Sequence, residues 1–100
     1  MSVEWRVFEK RVEGFIHAID GGLWMHHWRL PDGRPMAHLV SSDKARLLAW
    51  GAANGMSPEW LQHKPIKDPR TGARVQAWHW DLLGSRVPPR PPPRRPFPSG

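Results

Sequence analysis

Seven of the chain's 12 prolines fall in its last 15 residues, RVPPRPPPRRPFPSG. A proline has no backbone N–H and holds φ near −65°, so this run can neither enter a sheet interior nor wind as an α-helix. It should lie extended, partly as polyproline II, away from any core. Residues 1–85 must then supply the fold. The expected organisation is one small domain over 1–85 and an extended Pro/Arg-rich tail over 86–100.

The tail also dominates the charge. The chain carries 15 Lys+Arg against 9 Asp+Glu, a formal net charge of +6. Arg86, Arg90, Arg94 and Arg95 supply four of those six excess charges with no acid among them, so the folded part is close to neutral. These four arginines are the candidate nucleic-acid-binding residues, and the binding expected is weak and nonspecific, through phosphate. The tail also reads R-x-x-P-x-x-P from Arg86 to Pro92 and P-x-x-P-x-R from Pro89 to Arg94. Both forms present proline ridges and an arginine to an aromatic groove, so a protein partner is a further expectation.

Several classes are excluded by what is absent. Without cysteine there are no disulfides, thiolate zinc sites or cysteine nucleophiles. No apolar run approaches the ~20 residues of a membrane helix, and no secretory leader pattern opens the chain, so the expectation is a cytoplasmic protein with no membrane partner. No phosphate-cradling glycine loop and no G-x-S-x-G occur.

Within 1–85 the pattern is mostly that of strands. Val3, Trp5 and Val7 alternate with Glu4 and Arg6, and Phe15–Asp20 reads as a second strand after Gly14. Leu23–Leu30 is a strand by its aromatic content. Pro31-Asp32-Gly33-Arg34 predicts a hairpin turn, with Met36–Ser41 returning. Lys44–Asn54 predicts a helix capped by Ser41 or Ser42, with Asp43 in the favourable N-terminal field and Gly55 closing it. A short helix follows at Ser57–Trp60, then a turn at Asp68–Gly72. Ala73–Leu83 is a final strand, with His79 and Asp81 on one face and Arg74, Gln76, Trp78, Trp80 and Leu82 on the other. The fold class expected is α+β: a small, mainly antiparallel sheet of four to five strands with one or two helices on one face.

The order of these motifs over roughly residues 31–82 resembles the DUF4031 domain family, small bacterial and phage proteins of unknown function. The resemblance rests on Gly33-Arg34 before Met36-Ala37-His38-Leu39, on Ser42-Asp43 at the start of the helix Ala45–Gly55, on Trp60-Leu61-Gln62, and on His79-Trp80-Asp81. It departs at Trp80, where the family has tyrosine, and at Arg46-Leu47-Leu48, where the family has Glu-Leu-His. The resemblance implies no established activity.

Six histidines, at 17, 26, 27, 38, 63 and 79, are the remaining source of chemistry. His79 and Asp81, two apart on one strand, project to the same face, and His38 on the neighbouring hairpin can join them. A His38, His79, Asp81 cluster could bind one divalent metal such as zinc or manganese, or act as a general base with its orienting carboxylate. Without an H-E-x-x-H spacing, the plainer expectation is a buried histidine donating to Asp81, with no cofactor and no turnover. His26 and His27 point to opposite faces and cannot easily share one ion. The Arg74, Gln76, Trp78, Trp80 face could stack bases, but two tryptophans and a leucine on a strand face are the usual floor of a helix. The leading functional expectation is a non-enzymatic accessory or binding module whose tail attracts polyanions. The alternatives are a small metal-dependent hydrolase or nuclease using His38, His79 and Asp81, and a protein–protein adaptor working through the tail.

Overall fold

The structure, a computed structural model, describes residues 4–89. The chain order is β1 (Trp5–Arg6), α1 (Arg11–Ile19), β2 (Leu23–Arg29), β3 (Pro35–Ser41), α2 (Lys44–Ala53), β4 (Gln62–His63), β5 (Ile66–Lys67), β6 (Arg74–Val75) and β7 (Trp78–Leu83). Single 3₁₀ turns lie at Pro58–Trp60 and Gly84–Arg86. The fold is α+β. Five strands form a mixed sheet in the order β1-β2-β3-β7-β4, and β5 and β6 form a separate two-stranded ladder. Among the described residues, no helix is long and apolar enough to cross a membrane.

The β2–β3 hairpin is built on the expected turn. Gly33 holds φ at +89°, open to glycine at no steric cost, and the Asp32 carboxylate accepts from the Arg34 backbone N–H at 3.0 Å. This turn sets the register, which pairs His26 with His38 and Trp24 with Val40. β7 then pairs antiparallel on the far side of β3, setting His38 opposite Asp81 and Val40 opposite His79. β1 pairs parallel to β2, which makes the sheet mixed.

The alternation of side chains divides the sheet into two faces. Met25, Leu39 and Trp80 form one rung of the inner face, with Ala37 and Leu82 in the next, and all are buried. α2 covers this face with Leu47, Trp50 and Gly51. A Cβ on Gly51 would lie inside the Trp80 indole, so glycine lets the helix seat directly on the ring. The indole Nε1–H donates to the Leu47 carbonyl at 2.8 Å, which satisfies the one polar atom of this buried tryptophan. α2 is capped by Asp43, whose carboxylate accepts from the Arg46 N–H at 3.1 Å. Neither expected serine caps it. Ser41 Oγ accepts from the Asp43 N–H, and Ser42 Oγ donates to the Ile19 carbonyl.

Residues 11–19 form a helix, where the sequence pattern predicted a strand over Phe15–Asp20. Gly14, read as a break, is instead the point of closest approach: a Cβ there would lie inside the Trp24 ring. α1 therefore packs flat on the opposite sheet face at the Trp24 and Val40 end, burying Ala18 with them. The first predicted strand shrinks to Trp5–Arg6, and the last divides into β6 and β7.

Candidate functional site

On the face shared with α1, the register lays out two adjacent rungs. One runs Trp24, Val40, His79, Gln62 across β2, β3, β7 and β4, and the next runs His26, His38, Asp81. α1 covers only the Trp24 and Val40 end. At the polar end, which no helix crosses among the described residues, His38 and Asp81 stay partly exposed while His79 is buried.

His38, His79 and Asp81 converge there. His38 Nε2 lies 2.6 Å and His79 Nε2 3.3 Å from the same carboxylate oxygen, Asp81 Oδ1. Gln62 Nε2 donates to the other oxygen, Oδ2, at 2.6 Å. The two imidazoles lie tilted to one another with centroids 4.7 Å apart, and Trp28 makes a T-shaped contact with His38 at 4.5 Å. One ligand atom from each of the three residues lies within 4.8 Å of the others, a separation that a single metal ion can span.

Both imidazoles are pushed toward neutrality. Burial is the largest cause for His79 and His38 alike, and the Lys64 charge acts in the same direction on each. Asp81 opposes it, and the neighbouring His79 and His26 charges push His38 further down. A neutral imidazole keeps a lone pair for a metal or a proton.

His38 and His79 form part of the wall of a cavity of about 520 Å³. One side is apolar, made by Phe15 of α1, by Trp24 and Val40 of the main sheet face and by Ile66 of the β5–β6 ladder. The rim carries Arg11, Lys64 and Lys67. The ladder wall is held by Asp68, whose carboxylate accepts from the Arg70 backbone at 2.8 Å and side chain at 3.1 Å. Those bonds hold the Asp68 carboxyl below the usual carboxylate range.

His26 stays beside the site, in the rung of His38 and on the cavity lining, between Trp24 and Trp28 with ring centroids 5.2 and 5.6 Å away. The other candidates are placed elsewhere. His27 points to the other face and donates from Nε2 to the Pro88 carbonyl at 2.8 Å. His17 packs on Phe8, and His63 donates to Gln76 Oε1. The stacking platform is not assembled: Trp80 is 0% exposed under α2, and Arg74 belongs to the separate ladder. Trp78 stays half-buried between His63 and Lys44.

Of the four tail arginines, Arg90, Arg94 and Arg95 lie outside the described residues. Arg86 is turned onto the body, with its guanidinium 5.3 Å above the Trp60 ring and 3.4 Å from Met56 Sδ. Val87 packs against the inner core. Sequence reasoning missed Gln62 and Lys64 as parts of the site, although Gln62 lies in the Trp60-Leu61-Gln62 motif.

Over 62 residues the chain is 34% identical to the uncharacterized protein YneQ of Bacillus subtilis (strain 168), a match covering 59% of this chain and 52% of that protein. The chain thus spans about half the length of the curated relative it matches. No family model matches the chain, and no solved structure matches it.

Proposed function

We propose that His38, His79 and Asp81 bind one divalent metal ion, zinc or manganese, and that the protein is a small metal-dependent hydrolase. The observation that carries this reading is the convergence of three ligand atoms within 4.8 Å beside a cavity that two of the three residues help to line. A sealed apolar setting would have favoured a purely structural histidine. Two imidazoles and one carboxylate suit zinc, manganese or iron, and leave coordination positions for water and substrate. Each neutral imidazole would offer its Nε2 lone pair to the ion in the tautomer that carries its single proton on Nδ1. When bound, the ion lowers the pKa of its water toward ~7, supplying hydroxide at neutral pH. Gln62 holds the carboxylate in place from behind, as outer partners of metal ligands do.

The test is equilibrium dialysis of the chelator-stripped full chain against zinc and against manganese. One ion per chain is expected, lost in both His38→Ala and Asp81→Asn. Hydrolysis of bis(4-nitrophenyl) phosphate should follow metal occupancy. If both variants retain the ion, or the unmodified chain takes none, the reading is wrong. Circular dichroism on each variant separates a lost site from a lost fold.

The cationic tail supports a second reading, independent of the first: nonspecific polyanion binding by Arg90, Arg94 and Arg95 with Arg86. Its support is the charge asymmetry, four of six excess charges within 15 residues.

A further inference from the structure

The cavity beside the imidazoles joins two chemistries, an apolar wall and a cationic rim. Its inner wall is apolar: Phe15, Val40 and Ile66 around Trp24. Its rim is cationic, and none of Arg11, Lys64 and Lys67 forms an ion pair among the described residues. The one acid on the lining, Asp68, is taken by Arg70. Arg11 lies over the Phe15 ring at 5.9 Å, and cations without a carboxylate partner among the described residues hold a positive potential at the hollow, focused by the low-dielectric wall. A volume of about 520 Å³ lies within the range of small-molecule sites.

We infer that the cavity binds a phosphate ester whose organic group is apolar and about one or two rings in size. The ring lies against Phe15, Val40 and Ile66, and the phosphate lies between Lys64 and the Arg11–Lys67 rim. Lys64 is the pivot. It lines the cavity together with His38 and His79, so a phosphate held by it shares that cavity with the proposed metal site. Designating this ester the substrate rests on the hydrolytic reading above, whereas its binding does not. With the metal in place, hydroxide oxygen bonds to phosphorus, the ester P–O bond breaks, and the departing oxygen takes a proton from water.

The experiment is calorimetric titration of the full chain in chelator, with 1-naphthyl phosphate, 1-naphthol and inorganic phosphate as probes. Working without metal keeps the outcome separate from that of the metal site. The ester should bind at least tenfold more tightly than either fragment. Lys64→Ala should weaken the ester at least fivefold and leave naphthol unchanged. Val12→Glu, at a 51%-exposed lining position on α1, brings a carboxylate to the mouth and should weaken the ester without disturbing the fold. Naphthol binding as tightly as the ester would remove the cationic part of the inference. Inorganic phosphate matching the ester would remove the apolar part. Ester affinity unchanged in both variants would place binding elsewhere and overturn the proposal.

Discussion

At Asp81, one carboxylate serves three partners: His38 and His79 share Oδ1, and Gln62 holds Oδ2. Gln62 has no catalytic chemistry of its own, so its contribution is orientation. Gln62→Leu should lower metal affinity about 10–100-fold, the usual cost of losing an outer partner. The thermal midpoint should stay within about 2 °C, because Gln62 is exposed on a two-residue strand. Unchanged affinity in that variant would make the hydrogen bond incidental. The histidines also set an acid limit on stability. His17 is held below its ordinary value of 6.5 by burial first and by Arg6 next, and burial does the same for His38 and His79. Below pH 6.5 the unfolded chain takes up protons that the folded chain resists, so stability is full above 6.5 and falls as pH drops. Asp68, held below 3.8, extends the loss at more acid pH. In chelator, the midpoint should be flat above pH 7 and decline steadily from 6.5 to 5. A midpoint that holds level or climbs over that interval would contradict this.

Among the elements, α2 depends on one missing methyl. Alanine for Gly51 would gain about 1 kcal/mol of helix propensity. Its Cβ would enter the Trp80 ring, which is 0% exposed and held at Nε1 by Leu47, so it cannot move aside. Overpacking of that kind costs about 1–3 kcal/mol. Gly51→Ala should therefore destabilise the protein by up to about 2 kcal/mol in urea unfolding, and any gain in stability would refute the close-seating account. Gly14 shows why α1 was not legible in the sequence. A glycine among Val12, Phe15, Ile16 and Ile19 reads as a break between β segments, because local pattern carries no trace of the Trp24 ring beneath it. The hairpin and α2 were legible, since a Pro-Asp-Gly-Arg turn and a capped leucine-alanine run are local signals. The His79–Asp81 pair was legible for a related reason, since period-two alternation puts both on one face of β7; that His38 meets them follows from the long-range pairing of β3 with β7, for which there is no local signal. Gln62 and Lys64 were not legible either, because β4 is two residues long and reaches the site only through its pairing with β7.

For the whole molecule, the sheet separates its duties by face. One side is sealed by α2 and carries the stability, and the other is covered by α1 over part of its length, with no described helix over the histidines. The charge is uneven too: the described residues carry 12 Lys+Arg against 9 Asp+Glu, and Arg90, Arg94 and Arg95 supply the other half of the excess of +6 without any acid. Deleting residues 90–100 removes Arg90, Arg94 and Arg95. Binding of the full chain to duplex DNA should weaken steeply with salt. The deletion should reduce the log–log slope by up to about 3, near 0.9 for each phosphate an arginine neutralises. Filter binding at several salt concentrations measures both slopes, and equal slopes would clear the tail of any part in polyanion binding.

The docking of Pro88 onto His27 gives the tail a fixed origin. Pro88 and Pro89 share a hollow with Trp28, and Trp28 lies edge-on to His38. The 11 residues after Pro89 reach at most about 40 Å even at full stretch. A polyanion held by their arginines would be leashed within that radius of Pro89, and its visits to the histidine face would be set by the length of the leash rather than by its dilution in bulk solution.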